Sequence, residues 1–223
     1  MSPTVDPRLL RLLRAPRLGV YGGSFDPAHL GHRAVARAAR RAARLDAVVF
    51  VPAARSPHKQ TATAFGDAER LELLRLLRER EPGTGVWTFE LERPPPSYTV
   101  ETLERLRELR GPQAPRPFLI LGEDQLAGLP RWREPQRVWQ LAEPLIVQRG
   151  PAAGFEQALA DADRALPWLA ERLRAGAIQV QHPHPASGTS IRAALALGDP
   201  PPFLSAAQLR ALRAWSAAPP GVG

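Results

Sequence analysis

The chain has 223 residues, enough for one domain with a small appendage and for a sizeable buried core. Hydrophobic residues make up 44% of it, which excludes a disordered polymer, and without cysteine it holds neither a disulfide nor a thiolate metal site. The formal charge of +8 favours anionic partners, but the basic residues are spread along the chain with no dense block or interleaved aromatics, so a nucleic-acid partner is not expected.

No apolar run approaches the roughly 20 residues of a bilayer span, so no membrane partner is expected either. Residues 1–16 are Leu- and Arg-rich and read as an N-terminal extension; Pro3, Asp6 and Pro7 count against a targeting helix. Residues 17–223 read as a single domain. A first strand is expected over 17–21, closed by Gly22-Gly23, then a helix over 31–45. Residues 47–51 (Ala-Val-Val-Phe-Val) have the continuous apolar character of a buried strand, stopped by Pro52. Asp67 is placed to cap a helix running to about residue 80, with a leucine stripe at 71, 74 and 77. Further strands are expected at 86–90, 118–121, 145–147 and 178–181. Helices are expected at 100–110, 136–142, 156–174 with a break at Pro167, 190–197 and 206–215. Ser205 and Gln208 form a capping-box pattern before the last. This alternation predicts an α/β fold, a Rossmann-like parallel sheet with helices on both faces, ending in a small C-terminal helical portion. Ligands of such sheets bind at the carboxyl ends of strands, near the switch in strand order.

Two stretches carry the chemistry. The first is Gly22-Gly23-Ser24-Phe25-Asp26-Pro27-Ala28-His29-Leu30-Gly31-His32. Glycines after a strand let backbone approach a ligand closely, and the following helix aims free N–H groups at whatever sits in the turn. His29 and His32, three apart, can share a face and donate to phosphate oxygens. The second stretch is Ser187-Gly188-Thr189-Ser190-Ile191-Arg192. Ser187 or Thr189 can cap a helix there, and Arg192 on its first turn can reach a phosphate with a bidentate fork. Lys59, in Ser56-Pro57-His58-Lys59, is the only lysine among thirty basic residues, and lysine is not interchangeable with arginine at a phosphate. His182 and His184 have no carboxylate spaced to complete a metal site.

The first stretch resembles the signature of the nucleotidyltransferase α/β-phosphodiesterase superfamily, whose shared element is H-x-G-H. Its wording is similar to that of bacterial nicotinate-nucleotide adenylyltransferases, and less so to phosphopantetheine adenylyltransferases, which usually carry Thr at the place of His29. The second stretch resembles that family's Ile-Ser-Ser-Thr-x-Ile-Arg, with Ala186 for the leading Ile and Gly188 for the second Ser. Residues 49–59 resemble its F-x-P-x-x-x-x-P-H-K loop, residues 97–103 its S-Y-T-x-x-T-L stretch, and Gly122, Asp124 and Trp132 its G-x-D…W segment.

The resemblance implies adenylyl transfer from ATP to nicotinate mononucleotide, in an adenylyltransferase-type sheet. It implies His29, His32, Lys59 and Arg192 as the catalytic phosphate ligands. Gly22, Gly23, Ser24, Phe25, Gly31, Ser187, Gly188, Thr189, Ser190 and Ile191 would hold ATP. His58, Tyr98, Thr99, Asp124 and Trp132 would hold the mononucleotide, a flat aromatic suiting a pyridinium ring. Mg²⁺ would accompany ATP, with no protein metal site. A cytoplasmic location is expected, and a homo-oligomer is allowed. The alternatives are a same-fold enzyme acting on nicotinamide mononucleotide or phosphopantetheine, and a non-catalytic nucleotide- or RNA-binding module.

Overall fold

The computed structural model describes residues 6–55, 63–79, 81–148, 152–176, 180–181 and 184–217. The apolar runs form six strands: β1 (Leu18–Gly23), β2 (Ala47–Pro52), β3 (Thr84–Val86), β4 (Phe118–Gly122), β5 (Glu143–Gln148) and β6 (Val180–Gln181). They make one sheet in the order β3-β2-β1-β4-β5-β6, with every pair parallel.

Parallel strands need crossover connections, and helices bury both faces of the sheet. One face carries α2 (Leu30–Ala42), α3 (Asp67–Arg78), α8 (Gly188–Ala196) and α9 (Ala206–Ala217). The other carries α1 (Pro7–Leu13), α4 (Thr99–Arg110), α5 (Pro135–Leu141), α6 (Ala152–Ala165) and α7 (Pro167–Gly176). The strand side chains divide by alternation. In β2, Ala47, Val49 and Val51 pack under α1 and α4, while Val48 and Phe50 pack under α2 and α3. Both faces being covered explains why this strand is apolar throughout.

Four local features differ from expectation. β3 ends at Val86 rather than reaching residue 90. The Trp87 amide still donates to the Phe50 carbonyl (2.8 Å), but Trp87 then stacks on Phe89 (5.1 Å between centroids) and a turn closes from Leu91 to Thr88. The alternating pattern there serves an aromatic pair, not a ladder. Second, Gly66 and not Asp67 precedes α3; Glu69 accepts from the Gly66 amide (2.8 Å), and Asp67 is drawn instead to the buried Arg70 (2.7 Å). Third, a 3₁₀ helix, Glu123–Arg131, follows β4, burying Leu126 and Leu129 at the three-residue period of that helix. Fourth, the segment before β1 folds onto the sheet as α1. Asp6 caps it (2.9 Å to the Arg8 amide), Pro7 opens it and Leu13 is fully buried. Arg110 of α4 donates to the Leu13 and Ala15 carbonyls, the latter at 2.8 Å.

The break at Pro167 separates α6 from α7 as expected. The Ser205–Gln208 capping box forms, with reciprocal bonds of 2.9 and 3.3 Å. Gln208 does more than cap. Fully buried, it donates its amide to the carbonyls of Ala28 (2.9 Å) and Leu73 (2.8 Å), tying α9 to α3 and to the turn before α2. A buried carbonyl stripped of its donor costs roughly 1–3 kcal/mol. Gln208→Ala is therefore expected to lower the urea midpoint by the equivalent of about 2–4 kcal/mol with an unchanged m-value.

Candidate active site

β1 stays paired with β2 from Leu18↔Ala47 to Gly23↔Pro52, but with β4 only at Gly19↔Phe118 and Val20↔Leu119. Beyond Val20 the two central strands part at the point where the strand order reverses. A cleft of about 590 Å³ opens there, with Val20, Leu119 and Leu121 in its floor.

The first wall is the chain leaving β1. Gly22, Gly23, Ser24 and Phe25 all line the cleft. Phe25 turns the chain with a left-handed φ of 47° and buries its ring against Tyr21, Phe50 and His32. His29 stands at the start of α2 and His32 on its first turn, both facing the cleft. Their rings stack with centroids 3.8 Å apart. The His29 amide donates to His32 Nδ1 (3.2 Å), so the proton of the neutral His32 ring sits on Nε2. Gly31 does not line the cleft. A Cβ on it would lie 2.8 Å from His29 Nδ1 and 3.1 Å from the Ala186 methyl, so its lack of a side chain is what lets the His29 ring and the chain before α8 close over the helix.

The second wall is the start of α8, capped by the Ser187 hydroxyl, which accepts from the Ser190 amide (3.1 Å). Ser187, Gly188, Thr189 and Arg192 line the cleft. Ser190 is absorbed in the cap, and Ile191 is fully buried beneath the helix, so these two hold α8 down rather than face the cleft. The Arg192 guanidinium is docked on Asp26. It donates to the Asp26 carbonyl and to Thr189 Oγ1 (3.3 Å), and lies 3.7 Å from the Asp26 carboxylate. The two Asp26 carboxylate oxygens accept from the amides of Ala64 and Phe65, both at 3.0 Å. Arg70, fully buried, donates to the Ser24 carbonyl and to that of Ala53 (2.8 Å), joining the same turn to the end of β2.

The third wall comes from the opposite face of the sheet. Tyr98 and Thr99 stand at the start of α4, Asp124 at the start of the 3₁₀ helix and Trp132 at its end, and all four line the cleft. The Arg133 guanidinium lies 4.8 Å from the centre of the Tyr98 ring and pairs with Glu101 (3.0 Å). His58 and Lys59 lie outside the described residues, as does His182. His184 accepts from the Ala186 amide (3.2 Å) and packs edge-on to Phe203. Among the described residues no group of three or more His, Cys, Asp or Glu could hold a metal ion. Among the described residues no helix is long and apolar enough to cross a membrane.

A family model described as Cytidylyltransferase-like matches residues 20–194. A relative from Roseiflexus sp. (strain RS-1) is 41% identical over 184 residues, spanning 82% of this chain and 87% of its own. One from Gloeobacter violaceus is 42% identical over 146 residues, 65% of this chain and 70% of its own. Both bear the name "Probable nicotinate-nucleotide adenylyltransferase". The chain belongs to the nicotinate-nucleotide adenylyltransferases. The fold agrees with that of the nicotinic acid mononucleotide adenylyltransferase of Plasmodium falciparum, solved complexed with NaAD, at a TM-score of 0.65 and 18% identity over 90% of this chain and 96% of that one.

In this adenylyltransferase two carboxylates of the cleft escaped the sequence analysis. Asp26 was visible within the first stretch, but nothing local marks it as the residue on which Arg192 docks. Glu90 is the other. It lines the cleft at the end of an alternating aromatic run that reads as a strand, and its carboxylate accepts from Thr102 Oγ1 (2.6 Å). Burial pushes its pKa up, more than the Thr102 and Ser97 hydroxyls pull it down, and Glu101 adds to the rise. Its ionisation therefore costs stability as pH rises above the ordinary glutamate value. A lone carboxylate among aromatics, just before the Ser-Tyr-Thr stretch, is the signal that could have found it.

Gly188 replaces a serine of the family pattern, and the geometry gives a reason. A Cβ there would lie 2.9 Å from the Asp26 carbonyl oxygen and 3.0 Å from Arg192 Nη1. The carbonyl is backbone and cannot swing aside, so one of the two signatures has to move. Gly188→Ala is expected to cost about 1–3 kcal/mol of stability and to lower kcat/KM for ATP about tenfold or more. Thermal melting and steady-state kinetics check both.

Proposed function

We propose that the chain transfers the adenylyl group of ATP to the phosphate of nicotinate mononucleotide, releasing pyrophosphate and nicotinate adenine dinucleotide. The observation that carries this is convergence. Arg192 and the start of α8 reach the same cleft as His29 and His32, although Arg192 is 166 residues from its Asp26 contact.

The chemistry asks little of the protein in proton transfer. A phosphate oxygen of the mononucleotide, already anionic at neutral pH, attacks the α-phosphorus of ATP. The bond to the bridging oxygen breaks, and pyrophosphate leaves with its electron pair. No general base is needed, so catalysis is positioning plus stabilisation of charge on the leaving group. His32 offers Nε2–H as a donor, because Nδ1 is engaged by the His29 amide. The start of α8 offers the amides of Gly188 and Thr189, and Arg192 moves its fork from Asp26 to phosphate. Lys59 supplies a compact cation to the phosphates. Tyr98, Thr99 and Trp132 take the pyridine ring on the far wall.

Three carboxylates line the cleft: Asp26, Glu90 and Asp124. Asp26 is engaged by two amides and Arg192, and Glu90 by the Thr102 hydroxyl, which among the described residues of the cleft leaves Asp124. This donor set does not fit a resident Mg²⁺ cage. Magnesium enters as part of the substrate, held by triphosphate oxygens and water. The reading places the enzyme among small-molecule substrates in the cytoplasm.

The test is pyrophosphate release with ATP and, separately, nicotinate mononucleotide, nicotinamide mononucleotide and phosphopantetheine. Turnover fastest with the first supports the proposal; ATP binding without pyrophosphate release from any acceptor overturns it. His32→Ala is expected to lower kcat about 10²–10³-fold while the melting transition stays cooperative. Lys59→Arg is expected to raise the KM for ATP or lower kcat, since a planar fork does not replace a point charge; kinetics identical to the wild type would remove Lys59 from the site.

A further inference from the structure

Glu90 is half-buried in the wall of the cleft, and the mechanism above does not use it. Its surroundings are built to hold a carboxylate in one place. Thr102, itself 2% exposed, donates from the first turn of α4 at 2.6 Å. The Ser97 hydroxyl lies near the same carboxylate and favours its charged form. The same Ser97 oxygen accepts from the amide of Ala54 (3.1 Å), and the Ser97 amide donates to the Arg55 carbonyl (3.0 Å). Glu90 therefore joins three pieces of chain: the exit from β2, the turn through Ser97 and the first turn of α4. Between its two hydroxyl partners lie Tyr98 and Thr99, which face the cleft.

We propose that Glu90 is a positioning residue for the mononucleotide acceptor, fixing the Tyr98–Thr99 corner through Ser97 and Thr102. The inference rests on the adenylyl-transfer reading in one respect, that this wall takes the acceptor. The histidines and Arg192 approach from the other side of the cleft, on elements packed against the opposite face of the sheet. Losing Glu90 thus loosens one wall and leaves the ATP grip in place. Geometry explains the choice of a carboxylate. It accepts from Thr102 (2.6 Å) and presents a second acceptor oxygen on the side of Ser97, whereas an amide offers one oxygen and one NH₂.

The experiment compares wild type with Glu90→Ala, Glu90→Gln, Thr102→Val and the Glu90→Gln/Thr102→Val double variant. Steady-state KM is measured for each substrate. Calorimetric titration with nicotinate mononucleotide alone and with ATP alone gives Kd independently of turnover. Glu90→Ala and Thr102→Val are expected to raise acceptor KM and Kd about tenfold, with the ATP values within about twofold of wild type. Glu90→Gln should fall between, and the double variant should cost less than the product of the two single changes, because both break one bond. If Glu90→Ala fails to fold, Glu90→Gln and Thr102→Val carry the test. An acceptor Kd unchanged in every folded variant overturns the inference, and so does an equal rise for both substrates. Wild-type protein that binds the mononucleotide but releases no pyrophosphate overturns the reaction and leaves the Glu90 inference to stand or fall on Kd.

Discussion

Asp26 sits where three separated pieces of chain have to meet. Its carbonyl and carboxylate hold Arg192 of α8, and its carboxylate oxygens hold the amides of Ala64 and Phe65. A buried carboxylate satisfied by fixed amides and a guanidinium is stable only when all its partners arrive together. Gly188 makes the meeting sterically possible, and Arg70 pins the same turn to the end of β2 from below. The mouth of the cleft is thus held by polar contacts, while the apolar sheet beneath holds its floor.

The cleft divides along the sheet. One wall belongs to the layer of α2, α3 and α8, the other to the layer of α1, α4 and the 3₁₀ helix. Two reactants that must be aligned but must not exchange places are well served by such an arrangement. Each layer supplies one wall of the cleft, and the parting of β1 from β4 beyond Val20 opens the space between them. Effective concentration then comes from the rigidity of the sheet, without a covalent intermediate or a moving base.

Much of this was legible in the amino-acid order. Continuous apolar runs such as Ala47 to Val51 betray strands buried on both faces, and the glycine-to-histidine string marks the strand-to-helix turn by composition alone. The Ser187 cap and the Ser205–Gln208 box follow from side chains that act on neighbours three residues away. What escaped depends on distant partners. Nothing near Arg192 shows that it rests on Asp26, and nothing near Gln208 shows that it reaches Ala28. Val86 to Glu90 alternates like a strand, yet stacking of Trp87 on Phe89 ends the ladder early and turns Glu90 inward. Ile191 belongs to the second stretch, and its buried side chain anchors α8 beneath the residues that line the cleft.

The long reach of these contacts bears on how the enzyme is born. Gln208 closes onto a carbonyl 180 residues earlier, and Arg192 onto one 166 residues earlier. During synthesis the early strands and α2 emerge well before Arg192 and Gln208, so the turn carrying the two histidines waits for its later partners. The mouth of the cleft is therefore completed by non-local closure, the kind of contact whose loop entropy has to be offset before it is rewarded.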